Sequence, residues 1–366
     1  MLVTGSAVVY RLFDVGYAVN LERALDLLAA SAPERVRPVR GEAQALQTRN
    51  TPITLVLGNE IVEVGRFRLE AEVSARIFEF GVVSLRARIP GPAALPWEDW
   101  LAFGRAVDGA TAIAAMLEHH LRLVTERASD AVERPQTASV REDYVVYRVD
   151  RLADDAGAPL PPDVLTEGHI APLLLNEFRA LSGDAHRELL SRRFSYYADD
   201  LTVVTWDNAL VVEPTAGDTD VQFVLEFANA QLLELRYYDN LLDAELPRMY
   251  DRIAAARRGG LIARFRGRYA PLLADLQTLV ADATDIVERV ENSLKVTDDV
   301  YLGRIYTAAI EIFRGRAWRS GIDRKLGIIR EAYTMLNAEA QAARAEALEL
   351  MIVILIVTEL VLAALT

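Results

Sequence analysis

The groups best placed to do chemistry lie along one stretch, Glu226, Asn229, Arg236, Asp239 and Asp243, recurring at three-, four- and seven-residue spacing. On a helix that spacing gathers them on one flank. Beside them Phe223, Phe227, Ala230, Leu233, Tyr237 and Leu241 form an apolar stripe. Two kinds of chemistry fit. Carboxylates around Arg236 make an ion-pair network that clamps helix to sheet, the preferred reading, and one in which Arg236 would be costly to remove. Paired carboxylates beside Arg236 and Tyr237 in a pocket would instead serve acid–base chemistry or small-molecule binding.

Other chemistry is thinly represented. Cysteine is absent, which removes disulfides, thiolate catalysis and thiolate metal sites together. Only Lys295 and Lys325 could serve as a Schiff-base or phosphate-binding lysine. Glu118, His119 and His120 are contiguous and splay around a helix, while His169 and His186 stand at no metal-ligand spacing. No metal site and no cofactor is therefore expected. No phosphate-binding loop, dinucleotide fingerprint or nucleophile elbow occurs. Two arginine clusters remain: Arg257, Arg258, Arg264, Arg266 and Arg268, then Arg314, Arg316, Arg319 and Arg324 with Lys325. They are candidate sites for an acidic protein or RNA partner, against a plainer reading as solvated turns with arginine at helix C-termini. The net charge of −13, from 53 acids against 40 bases, argues against a general nucleic-acid binder.

The elements that must position these groups follow from periodicity. The 366 residues, 52% hydrophobic, suffice for two ordinary domains. Runs rich in Val, Ile, Phe and Tyr at 6–13, 51–58, 64–89 and 144–152 read as strands. Helical stretches at 20–31 and 97–126 intervene, giving a β-α-β-β-α-β order, that of a ferredoxin-like sandwich. The Pro/Gly/Asp cluster at 154–163 reads as a loop, and Asp207-Asn208 as a tight hairpin turn. From Asp220 the pattern is helical almost to the end. The expected organisation is an α+β domain over 1–215, a helical bundle and stalk over 220–346, and a terminal helix over 347–366.

That last helix raises a question of solvent. Apolar or small residues at 326, 329, 333, 336, 340, 343, 347 and 350 form a heptad seam. From Ala347 to Thr366, 16 of 20 residues are apolar. On a bilayer-insertion scale their Leu, Ile and Val contribute roughly −4 to −7 kcal/mol against about +3 for Glu359. The sum predicts a C-terminal membrane span, with Arg324, Lys325, Arg330 and Arg344 holding the N-terminal domain in the cytoplasm, and lipid as a partner. Within that span Glu359 is an intramembrane carboxyl, protonated, snorkelling or joining neighbouring tails. The N-terminus has no basic segment ahead of an apolar run, so neither signal nor transit peptide is expected.

Several stretches resemble one family. "IFEFGVVSLRARIP" (77–90), "YYADDLTVVTWDNALVVEP" (196–214), "LEFANAQLLELRYYDNLLDAEL" (225–246), "WRSGIDRKLGIIREAYTML" (318–336) and "LELMIVILIVTEL" (348–360) are similar to the required for meiotic nuclear division family. The resemblance implies an α+β region followed by helices and one C-terminal span, with Glu359 matching an acidic residue there. It carries over no catalytic residue and no cofactor. The function expected is a non-enzymatic scaffold, anchored by its tail and self-associating as a homo-oligomer through its last helix. An enzyme or binder with a pocket at 222–250 is the alternative, and a partner- or RNA-binding factor using the arginine clusters a further one.

Overall fold

The computed structural model describes residues 1–29, 34–35, 46–48, 50–136, 140–176, 181–190, 192–214, 220–258, 269–292, 294–296 and 299–365. In chain order the elements are β1 (Leu2–Asp14), β2 (Gly16–Val19), α1 (Leu21–Leu27), β3 (Glu34–Arg35), β4 (Leu46–Thr48), β5 (Ile53–Val64), β6 (Phe67–Ile77), β7 (Val82–Pro90) and β8 (Leu95–Pro96). There follow α2 (Trp97–Asp108), α3 (Thr111–Ala128), β9 (Val132–Pro135), β10 (Arg141–Ala153), α4 (Glu167–Leu174), α5 (Gly183–Leu190), β11 (Arg193–Phe194), β12 (Leu201–Val204) and β13 (Asn208–Val212). The helical half comprises α6 (Asp220–Arg258), α7 (Tyr269–Asn292), a short β14 (Leu294–Val296), α8 (Val300–Ile312) and α9 (Gly315–Leu365).

Among the described residues one sheet has ten strands, in the order β11-β12-β13-β10-β1-β7-β6-β5-β3 with β8 beside β1. The element order matches the ferredoxin-like expectation, and so does the pairing at the sheet's centre: β10, β1, β7 and β6 stand side by side as fourth, first, third and second strands, each antiparallel to its neighbour. Beyond that core the sheet is extended by β5 and β3 on one side and by β13, β12 and β11 on the other. The sheet's parallel pair is β10 with β13. The predicted turn at Asp207-Asn208 falls one residue early: Asn208 already opens β13, and its side chain accepts a 2.8 Å hydrogen bond from Thr205 Oγ1.

Both faces of the sheet are covered. Odd-numbered residues of β1 and β10, such as Val3, Ala7, Val145, Tyr147 and Val149, join the core formed with Trp97, Trp100 and Phe103 of α2. Even-numbered residues face the other way and include Ser6, Tyr10, Tyr144 and Arg148, all buried. On that side β6 offers Arg76, which forms a buried ion pair with Glu226 of α6. Phe78 and Phe80 pack edge-on against Phe227 of the same helix.

The chain divides into two compact units, Met1–Tyr237 with Arg289–Arg316, and Tyr238–Glu288 with Ala317–Thr366. The first holds the sheet, its flanking helices and the N-terminal half of α6. In the second, three helices are tied pairwise. Arg252 of α6 meets Asp275 of α7 at 2.5 Å, Lys325 of α9 meets Asp239 and Asp243 of α6 at 2.7 and 2.6 Å, and Arg330 of α9 donates to Thr284 of α7 at 3.3 Å. Leu326, Ile329 and Leu336 of the predicted seam are buried within this unit.

The predicted membrane span is not borne out. Among the described residues no helix is long and apolar enough to cross a membrane. The physical reason lies in where the acids fall. Glu349 and Glu359 bracket only nine uncharged residues, 350–358, about 14 Å of helix against a hydrocarbon core about 30 Å thick. Summing transfer energies over twenty residues hid this interruption. The tail anchor, the single-pass topology with a cytoplasmic N-terminal domain, and the lipid contact inferred from them lose their basis, as does an intramembrane role for Glu359.

The Arg76–Glu226 pair makes a testable hinge of this architecture. Glu226→Ala strands a buried guanidinium and is expected to cost about 3–5 kcal/mol, most of it recovered in the double variant Arg76→Met/Glu226→Leu. Urea unfolding of the three variants measures this; a single variant as stable as the wild type would remove the pair from the account.

Candidate functional site

Every residue of α6 from Val221 to Leu235 is buried, so each polar side chain on that stretch must find a partner inside the protein. Gln222 accepts from Arg148 at 3.4 Å. Glu226 binds Arg76, whose guanidinium also lies 4.9 Å over the Phe223 ring. Asn229 donates to Leu225 O at 2.9 Å, and Gln231 accepts from Tyr306 of α8 at 2.5 Å. Arg236, at the edge, pairs with Glu142 of β10.

The predicted flank therefore does not converge. Glu226, Asn229 and Arg236 meet separate partners, Tyr237 donates to Gln136, and Asp239 and Asp243 share Lys325 in the second unit. The arginine clusters come together no better. Arg257 and Arg258 end α6 with side chains that lie outside the described residues, as do Arg264, Arg266 and Arg268 altogether. Arg314 is exposed in a left-handed backbone conformation, φ 52°. Arg316 meets Glu311 at 3.6 Å and Arg319 meets Asp323 at 3.1 Å, both at the surface. Glu359 is exposed on α9.

The groups that do converge were mostly not singled out in the sequence: Asp14, Gln136 and Glu234, together with Tyr237. Asp14, at the end of β1, is 1% exposed. Its carboxylate accepts from Gly16 N at 3.2 Å and from Gln136 Nε2 at 2.6 Å, and Gln136 Oε1 accepts from the Tyr237 hydroxyl. The β6–β7 turn closes over this point through Gly81, at φ 93°. A Cβ there would stand 1.8 Å from Gly16 O, so no larger residue fits. Glu234, nearly one turn before Tyr237, is 2% exposed, and its Oε1 has no hydrogen-bond partner among the described residues.

Burial dominates the electrostatics. It pushes Asp14 up to about 6, against the hydrogen bonds from Gln136 and Gly16. It raises Glu234 well above the carboxylate range, with Asp14 raising it further and Arg289 opposing. Tyr237 rises to about 12 through burial and the nearby Asp14 and Glu234. Burial thus favours the neutral forms of both carboxyls and of the half-buried phenol. Among the described residues no group of three or more His, Asp or Glu could hold a metal ion. His120 meets Glu60 at 2.5 Å, and His169 closes the capping box of α4 with Thr166.

With this geometry in place, the family model for the MJ0711 N-terminal domain, described as that of an uncharacterized protein, matches residues 4–219. The chain belongs to this family. The match takes in the sheet from β1 to β13 and ends just before α6. Its relative in Methanocaldococcus jannaschii, uncharacterized protein MJ0711, is 25% identical over 223 residues, 61% of this chain and 66% of that protein. The chain thus spans just under two thirds of the relative's length. No solved structure matches. Neither match concerns the meiotic nuclear division family, and nothing in them links the chain to it.

The Asp14 site makes a pH prediction with a definite sign. Its folded value, about 6, lies above the ordinary 3.8, so the folded state binds the proton more tightly. This contribution to stability is present below 3.8 and is lost as pH rises through about 6. Asp14→Asn should therefore gain stability relative to the wild type as pH goes from 4 to 7, by on the order of 2 kcal/mol. Urea midpoints of both proteins across that range test it, and a pH-independent difference between them counts against it.

Proposed function

We propose that the protein is a self-associating organising protein, assembled through copies of its C-terminal helix, rather than an enzyme. One observation carries this reading. Twelve large apolar residues of α9, from Leu348 to Leu362, are each 51–65% exposed, on every side of the helix. Monomers seldom expose apolar patches above a few hundred Å², whereas this segment offers on the order of 1,000 Å², enough for a stable interface.

Continuity of pattern selects a second copy as the occupant. The seam buried in the second unit at Leu326, Ile329, Leu336 and Ala340 continues in register through Ala347, Leu350, Ile354, Val357 and Val361. Ile354 and Val361 fall at one seam position and Leu350 and Val357 at the other, while Glu349 and Glu359 fall off the seam. Ile352, Leu355, Ile356 and Leu362 lie on the opposite side, so each copy has a second apolar face and assembly extends beyond a pair. The dispersal of α6's polar groups among separate buried partners leaves little support for the pocket reading.

Sedimentation velocity of the full chain in detergent-free buffer is expected to show one discrete oligomer. Leu350→Asp/Ile354→Asp/Val357→Asp should shift it to monomer with an unchanged near-UV spectrum. A monomeric wild type, a polydisperse aggregate, or uptake onto phosphatidylcholine vesicles in place of self-association overturns the reading.

A further inference from the structure

The first unit carries a separate, aromatic surface. Tyr196 and Tyr197, between β11 and β12, are 65% and 67% exposed, and Val300, at the start of α8, is 78% exposed. The tyrosines belong to one patch, completed by Tyr301 beside Val300 in the chain. The rings of Tyr196 and Tyr197 lie 4.8 Å apart edge to face, and Tyr196 lies 5.7 Å from the ring of Tyr301. The loop is fixed rather than pliant: Tyr196 N donates to Asp200 Oδ1 at 2.8 Å, and Ser195 Oγ donates to Tyr197 O at 2.8 Å. Asp299 caps α8 by accepting from Tyr301 N and Leu302 N, and the Tyr301 hydroxyl lies 3.3 Å from Thr202 Oγ1.

Carboxylates gather around these rings. Asp200, Glu213 and Asp299 all act on Tyr301, whose phenol is pushed up to about 12, chiefly by burial. Glu213 and Asp299 also help burial raise Asp220 to about 6. Asp199 is exposed beside Tyr197. The base one turn along α8, Arg304, has its guanidinium over the ring of Phe194 at 5.8 Å. An exposed aromatic patch with a polar rim marks a protein contact, and this rim of carboxylates repels phosphate while attracting guanidinium and ammonium groups.

We propose that the Tyr196–Tyr197–Tyr301 face docks an arginine-containing basic peptide segment of a partner protein. Guanidinium groups stack on the tyrosine faces, where a cation above a ring is stabilised by its quadrupole, and the Asp199, Asp200 and Asp299 carboxylates set the sign of the partner. Tyrosine suits such a role because it presents rigid area at a small loss of side-chain freedom. The contact does not depend on assembly through α9.

Fluorescence anisotropy of the full chain with a labelled peptide of alternating arginine and glycine tests the assignment. Tyr196→Ala and Tyr197→Ala should each weaken binding about fivefold, and Asp199→Asn should weaken it and flatten its salt dependence. Glu22→Gln/Asp26→Asn, two exposed carboxylates elsewhere in the same unit, should leave it unchanged. No binding by the wild type, equal binding by the tyrosine variants, or an equal loss in the Glu22/Asp26 variant overturns the proposal, the last by showing general attraction to an acidic protein. Preferential capture of single-stranded RNA on the same face overturns it as well.

Discussion

The burial of α6 on all sides from Val221 to Leu235 is the constraint on which the rest of the first unit turns. A helix so enclosed would ordinarily be apolar all round. This one carries Gln222, Glu226, Asn229, Gln231 and Glu234, and leaving any of them unsatisfied costs about 1–3 kcal/mol. The sheet face beneath it has a matching composition. Where β-branched residues would be usual, it presents Ser6, Ser74, Arg76, Ser84 and Arg148, all buried. Small hydroxyls leave room for the guanidinium groups, which reach Gln222 and Glu226. The helix thus has one register on the sheet in which its polar groups are answered, and sliding by a residue would unpair several at once.

Glu234 is answered differently. Burial, with Asp14 adding to it and Arg289 opposing, raises its carboxyl well above the ordinary carboxylate range and so favours the neutral form. A proton is a partner that leaves with rising pH, so this end of the helix is held less firmly under alkaline conditions than the Arg76 end. The same logic accounts for where recognition can occur. The dispersed polar groups of α6 turn attention to the surface, where two materials stand out: aliphatic on α9, aromatic with carboxylates on the β11–β12 loop.

Much of the secondary structure was legible because its signals are local. The strands at 64–89, the loop at 154–163 and the long helices were read from composition and period, and α6's stripe of Phe223, Phe227, Ala230 and Leu233 is buried as its spacing implied. The neighbours of β1 follow from the element order, but the extension of the sheet by β13 parallel to β10 was not legible, because strands covered on both faces lose the alternation that marks a partner. The cluster around Asp14 was hidden for another reason. Gln136 and Tyr237 stand 122 and 223 residues from it along the chain, and nothing in a local window of Val, Leu and Phe marks Asp14 as partnered. The terminal helix misled because a sum over a window records how apolar a segment is and not how its two carboxylates divide it.

The extent of the family match bears on what folds as a unit. Residues 4–219 contain Arg76 and Arg148 but end before Gln222 and Glu226. Taken alone, that region would leave the sheet face that α6 covers open to water, with Tyr10, Tyr144, Phe78 and Phe80 exposed and Arg76 without its Glu226 partner. Compactness places the boundary elsewhere, adding α6 up to Tyr237 and the segment Arg289–Arg316, which brings Tyr306 to Gln231 and Phe313 to Tyr144. The stretch recognisable by descent is therefore shorter than the stretch that can satisfy its own interior. The first half of α6 belongs, physically, to the domain whose sequence signature stops just short of it.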